Sequence, residues 1–170
     1  MPEYPTTVTH LEMTAPFAAH KAVAWPDDVQ FALQESITLE EYRRLYDEIG
    51  RPWRWVNRRT MSDTRLAGII HHPATEIFLL RRGNQTIGFV ELNFRLFPCV
   101  EFVFVGLREA EIGKGLGGRM LTAALAHAQA RAPDRIIIQT CTLDHPNALV
   151  LYQKVGFTVS NRKEIVIHDD

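Results

Sequence analysis

Only two cysteines, Cys99 and Cys141, occur in 170 residues. That is too few for a disulfide framework, and without an export signal both read as reduced thiols inside the fold. No apolar run approaches the roughly 18 residues needed to cross a bilayer. The segment Met1 to Thr14 also lacks the basic start and apolar stretch of a signal peptide. These absences point to the cytoplasm and to no membrane partner. Neither sign of charge dominates, with 19 Lys and Arg against 20 Asp and Glu and a net charge of -1. No global field therefore draws the chain to nucleic acid, and any anion it binds is held locally. There are seven histidines, but no Cys/His set has the spacing of a zinc site, and His71-His72 stands directly before Pro73. No metal is expected.

What is present is ordinary globular material, 46% apolar and 23% charged. At this length it suits one domain with one core, and self-association to a homodimer stays open. Prolines at 2, 5, 16 and 26 break the first 28 residues into short pieces. Although Val8, Leu11 and Met13 can contribute to a strand, this stretch reads as an N-terminal extension packed on the domain.

Val29 to Glu35 reads as a strand. Thr38-Leu39-Glu40-Glu41 is a capping box for a helix carrying Leu39, Tyr42, Leu45, Tyr46 and Ile49 and stopped at Gly50-Arg51-Pro52. Ser62 and Asp63 open a shorter helix that ends before Pro73. Three strand-like runs follow, Glu76 to Arg81, Thr86 to Leu96 and Val100 to Gly106. They are joined by Arg82-Gly83-Asn84-Gln85 and Phe97-Pro98-Cys99 as an antiparallel meander. In the middle run Gly88, Val90, Leu92, Phe94 and Leu96 face one way and Glu91, Asn93 and Arg95 the other, which predicts one core face and one partly wet face.

A long helix starts near Gly115 and ends around Arg131-Ala132-Pro133. Arg135 to Cys141 reads as a strand covered on both faces. Pro146 suits the first turn of a last helix that Gly156 terminates, and Phe157 to Ile167 is the final strand. The order β-α-α-β-β-β-α-β-α-β predicts an α/β fold, a mixed sheet with an antiparallel meander followed by β-α-β-α-β and helices on both faces.

Between a strand and the long helix lies Glu111-Ile112-Gly113-Lys114-Gly115-Leu116-Gly117-Gly118. Glycines there let backbone amides approach a phosphate closely, and the helix dipole favours negative charge at that end. The alternative is a glycine-rich packing turn. A P-loop is excluded because Lys114 comes early and no Ser or Thr follows in register. A dinucleotide fingerprint fails because the preceding strand belongs to a meander.

These residues resemble the GNAT superfamily of acyl-CoA N-acyltransferases, whose signature [RQ]-x-x-G-x-[GA] is matched by Ile112-Gly113-Lys114-Gly115-Leu116-Gly117, with Ile112 departing from Arg or Gln. A second match, to N-x-x-A-x-x-x-Y-x-x-x-G-F, is His145 through Ala148 and Tyr152 to Gly156-Phe157, with His145 in place of Asn. The resemblance implies acetyl transfer from acetyl-CoA to a primary amine by direct attack. In that reading the pyrophosphate lies on Ile112 to Gly118, and pantetheine lies along Val105, Gly106 and Leu107 with His145 touching it. Tyr152 is the proton donor to the departing thiolate, and Glu101 is the base, with Glu91 in reserve. A packing role for Tyr152 and a solvated sheet-face role for Glu101 are the alternatives. The stretch Arg51 to Arg59, rich in Arg and Trp, falls where the family shapes its acceptor pocket, or packs internally. A non-catalytic acyl-CoA sensor is the competing function.

Overall fold

The computed structural model describes residues 1–169. Its strands are β1 (Glu3–Thr14), β2 (Val29–Leu33), β3 (Thr75–Arg82), β4 (Gln85–Asn93), β5 (Cys99–Leu107), β6 (Arg135–Cys141) and β7 (Thr158–His168). The helices are α1 (Leu39–Gly50), α2 (Asp63–Ile70), α3 (Leu116–Gln129) and α4 (Ala148–Lys154). All seven strands form one sheet in the order β2-β3-β4-β5-β6-β1-β7. Every neighbouring pair is antiparallel except β5 and β6, which are parallel. The expected mixed α/β sheet is therefore what the chain builds, with β1 added to the element order.

Helix starts follow local chemistry. Thr38 Oγ1 accepts the Glu41 amide at 3.1 Å and Ser62 Oγ accepts that of Arg65 at 3.2 Å. Each such cap contributes about 1 kcal/mol. The capping box at Thr38 is half used, because the Glu41 carboxylate faces Arg81 at 3.7 Å. Gly83 takes φ 58°, the left-handed conformation that closes the tight β3–β4 hairpin.

The first 28 residues differ from expectation. Glu3–Thr14 is no extension laid on the domain but a strand inside the sheet, paired with β6 on one side and β7 on the other. Pro5 is tolerated because pairing with β6 begins only at Val8. The Thr7 amide points to the β6 side, toward Thr142 Oγ1, so by strand alternation the missing Pro5 N–H would also point there, past the end of β6. Residues 15–28 lack a long element, and Phe17 and Trp25 pack on the core from there.

Two apolar layers cover the sheet. Leu116, Met120, Leu121, Ala124 and Leu125 of α3 and Tyr152 of α4 pack with Phe78, Leu80, Val90 and Leu92 on one face. Tyr42, Leu45, Tyr46 and Ile49 of α1 and Leu66 and Ile70 of α2 pack with Ile77, Leu79 and Phe89 on the other. Helix cover on both faces corrects the expectation of a partly wet face on β4. That strand also ends at Asn93, and Phe94 to Phe97 turn the chain toward β5.

Glu91 consequently lies 1% exposed beneath α1. Its carboxylate is held by Arg58 Nη2 at 2.8 Å and accepts the Tyr42 hydroxyl at 2.6 Å. Burial pushes the Glu91 carboxyl up, while Arg58 and Tyr42 pull it back. The hydrogen bonds keep two buried charges compatible with the interior, and removing one partner strands the other. Glu91→Ala is expected to cost about 3 to 5 kcal/mol in urea unfolding. The double change Arg58→Met with Glu91→Leu should recover most of that loss, and a single variant as stable as the native chain would disprove the pairing.

Candidate functional site

The parallel pair β5–β6 is where the sheet opens. It is paired only over Cys99 to Phe102 against Arg135 to Ile138. Beyond that, β5 stays with β4 up to Leu107, whereas β6 stays with β1 up to Cys141. The β4–β5 register shifts between Glu91 and Leu92, which oppose Phe104 and Phe102 and leave Val103 as an extra residue. A bulge bends its strand, and this one sits where contact with β6 ends.

The divergence leaves a cleft of about 550 Å³, walled by Val103 to Leu107 on one side and Gln139 to Cys141 on the other. Among the described residues no strand pairs with the β6-facing edge of Val103 to Leu107, so its amides and carbonyls are open to a ligand.

The start of α3 closes one end. Gly113 and Gly115 take φ 87° and 77°, a region that a β-branched residue adopts only under strain. No side chain caps the helix at Gly115, so the first-turn amides of Leu116, Gly117 and Gly118 are free to bind an anion at the positive end of the dipole. The loop is braced from outside. Arg82 pairs with Glu111 at 3.0 Å, and Arg119 donates to the Gly115 carbonyl at 3.1 Å and the Ala24 carbonyl at 3.0 Å. Arg82, with help from Lys114, holds the Glu111 carboxyl below its usual range.

Ala148, Leu151 and Tyr152 of α4 form part of the cleft wall. Pro146 lies in the turn before Ala148 rather than in the helix. The Tyr152 ring is 7% exposed and meets Phe157 edge-on. Burial, then the charge of Asp144, pushes its phenol well above the ordinary value.

Asp144 itself lines the cleft. Its Oδ2 accepts Thr140 Oγ1 at 2.7 Å and the Cys141 amide at 2.9 Å, and its Oδ1 faces the Trp55 indole N–H at 3.4 Å. His145 Nδ1 accepts the Asn147 amide at 3.1 Å, which leaves Nε2 as the protonated nitrogen of the neutral ring. The His145 ring stands edge-on to Trp53 at 5.4 Å.

The other end of the cleft is formed by Tyr46, the loop from Trp53 to Asn57, and Ile165 and Ile167 of β7. Trp55 packs against β5, where a Cβ on Gly106 would come within 2.6 Å of Ile49 and 2.8 Å of the indole. Arg58, three residues on, anchors this loop to β4 through Glu91 and stacks over Phe104 at 5.2 Å.

The cleft thus gathers Val105, Gly106, Leu107, Ile112, Gly113, Gly115, Gly117, Gly118, His145 and Tyr152. It does not gather the rest of the expected set. Lys114 turns outward to Glu111 at 3.4 Å, and Leu116 is a core side chain that offers only its amide. Glu101 sits before the bulge and accepts the Asn93 amide nitrogen at 3.3 Å, outside the residues that line the cleft. Glu91 is enclosed with Arg58 and is no reserve base. The sequence reading missed Asp144, and its one signal was a polar residue just past the carboxyl end of a buried parallel strand.

A mixed sheet opened between two parallel strands, with an uncapped glycine-rich helix start at the opening, defines the acyl-CoA N-acyltransferase class of fold. The chain belongs to the Acetyltransferase (GNAT) family, whose model matches residues 42–157. It is 33% identical over 99 residues to a mycothiol acetyltransferase of Corynebacterium efficiens, covering 58% of this chain and 33% of that protein. A mycothiol acetyltransferase of Corynebacterium glutamicum is 29% identical over 86 residues. The chain thus spans about a third of the length of the curated relatives it matches.

A GCN5-related N-acetyltransferase from Sphaerobacter thermophilus superposes with a TM-score of 0.70 at 14% identity, over 96% of this chain and 51% of that one. The ribosomal-protein-S18-alanine N-acetyltransferase of Escherichia coli gives 0.62 at 13% identity, over 78% and 79%. At these identities the likeness is one of fold.

Tyr42, Tyr46 and Tyr152 share one thermodynamic consequence. Burial raises all three phenols, Tyr46 to about 12 from 10.0. The folded protein therefore keeps protons that the unfolded chain releases above pH 10, so stability falls as pH rises through that range. Each retained proton should cost about 1.4 kcal/mol per pH unit there. Urea unfolding from about pH 9 to about pH 11.5 checks this, and flat stability across the window would mean that the phenols ionise in the native state.

Proposed function

We propose that the protein is an N-acetyltransferase that moves an acetyl group from acetyl-CoA to a primary amine of a small molecule, peptide or protein by direct attack. The supporting observation is the continuity of the cleft from the free amides at the start of α3, past the open edge of β5 and Tyr152, to the aromatic end at Trp53 to Asn57.

In this reading the amides of Leu116, Gly117 and Gly118 take the pyrophosphate. The pantetheine lies along Val105, Gly106 and Leu107 in the place of the missing strand, and the Nε2–H of His145 supplies the donor that the family draws from Asn. The amine enters from the aromatic end. Burial, then the charge of Asp144, holds the Tyr152 phenol well above its ordinary value. Tyr152 therefore acts as a hydrogen-bond donor to the departing sulfur, and its raised value keeps the proton in place. The site of action is the cytoplasm, where acetyl-CoA is available.

Acetyl-CoA is expected to raise the melting temperature, as a ligand of the native state must. Gly115→Val should abolish the shift, because a β-branched residue cannot hold φ 77° without strain. A panel of primary amines is then assayed with acetyl-CoA by the release of free thiol. Turnover supports the enzyme, whereas a shift without turnover on any amine would make the protein an acyl-CoA sensor. A normal shift in the Gly115 variant would remove the loop from the site.

Tyr152→Phe should leave the acetyl-CoA shift intact and lower kcat by about tenfold or more, since the lost contact forms as sulfur leaves. An unchanged kcat in single-turnover measurements would reduce the ring to packing.

A further inference from the structure

An alkyl ammonium of pKa about 10.4 must lose a proton before its nitrogen can attack a thioester. Glu91 is enclosed with Arg58, and Glu101 is not among the residues that line the cleft. Among the described residues lining the cleft, Asp144 is the one carboxylate.

Its two oxygens are used unequally. Thr140 Oγ1 and the Cys141 amide both fall on Oδ2, at 2.7 and 2.9 Å, and fix the plane of the group. Oδ1 has only the indole N–H of Trp55 at 3.4 Å, the long end of the hydrogen-bond range. One oxygen is thus anchored while the other keeps open lone pairs beside the aromatic wall. Asp144 is also close enough for its charge to be felt at both Tyr152 and Cys141.

We propose that Asp144 is the catalytic carboxylate, binding the acceptor ammonium through Oδ1 and receiving its proton directly or across one water. The proposal rests on the acetyl transfer argued above and narrows its acceptor to an alkyl primary amine on an apolar body that fits Trp53, Trp55 and Phe104. The nitrogen gives one proton to Asp144, which passes it to solvent, and attacks the carbonyl carbon. The C–N bond forms as the carbonyl pair moves to oxygen. Collapse restores the carbonyl and breaks the C–S bond with its electron pair on sulfur. The second nitrogen proton ends on that sulfur, giving an amide and a free thiol. The competing role for Asp144 is a brace for the turn between β6 and α4.

The test compares an alkylamine that the native protein turns over with its fluorinated analogue, which is nearly the same shape but uncharged at neutral pH. Asp144→Asn should lower kcat/KM for the alkylamine by roughly 10² to 10⁴ and for the analogue by less than about tenfold, with the acetyl-CoA melting shift retained. Equal losses on both amines, or no loss on either, would overturn the assignment. Thr140→Val keeps the carboxylate and removes one of its anchors, so it should lower turnover several-fold for the alkylamine alone. If the Asn variant does not fold, that selectivity decides, and equal effects on the two amines overturn the proposal. Failure of acetyl transfer itself would look different, as a native protein that turns over no amine at all.

Discussion

Everything at the site depends on the point where β5 and β6 stop pairing. Parallel strands need a crossover, and α3 supplies it, running from the end of β5 back to the start of β6. The crossover begins at the open end of the split, so the uncapped amides of α3 face the same gap as the free edge of β5. Neither strand is left to collapse onto the other. β4 holds β5, β1 holds β6, and the bulge at Val103 turns β5 aside at the branch point. A cleft inside a sheet exposes backbone hydrogen-bonding groups, which are costly to bury unpaired, and a ligand that satisfies them is correspondingly favoured.

The second constraint is the buried contact between Arg58, Glu91 and Tyr42. It lies on the face of the sheet covered by α1, together with Trp55 and Phe104, and it sets the cleft's aromatic end, because Trp53, Trp55 and Asn57 sit on the same loop as Arg58. The Tyr46 hydroxyl oxygen also accepts the Arg58 backbone amide at 3.3 Å. The indole of Trp55 can then rest on Gly106, where any side chain would displace it. Fixing a loop by a buried charge pair costs desolvation. That cost is offset here by hydrogen bonds from three elements, and it leaves the aromatic wall with one position.

The local parts were legible in the sequence and the long-range parts were not. Thr38, Ser62, Gly83 and Gly115 each impose a backbone feature within a few residues, and each sits where its chemistry required. The strand at Glu3–Thr14 was hidden because prolines at 2, 5 and 16 are locally breaking, and only the register with β6 and β7 shows that Pro5 lies beyond the end of β6. Glu91 was misplaced for a similar reason. Alternation correctly put it opposite Val90 and Leu92, but nothing local says that α1 and Arg58 cover that face. Glu101 followed the family resemblance and its strand position, and it falls before a bulge two residues later that no local signal announces.

The placement of Asp144 beside Tyr152 also couples the two ends of the proposed reaction. While Asp144 is charged, it adds to burial in holding the Tyr152 proton tightly. Taking the ammonium proton lifts the Coulombic part of that effect only until the proton passes to solvent, while the effect of burial remains throughout. Asp144 is therefore charged again when negative charge grows on the leaving group, and the Tyr152 proton stays on oxygen while it is donated to sulfur as a hydrogen bond. Before attack, the same charge attracts the ammonium and disfavours premature ionisation of the phenol. A single carboxylate with one anchored oxygen thus serves both ends of the proposed reaction, drawing in the ammonium and holding on its oxygen the proton that Tyr152 offers to sulfur.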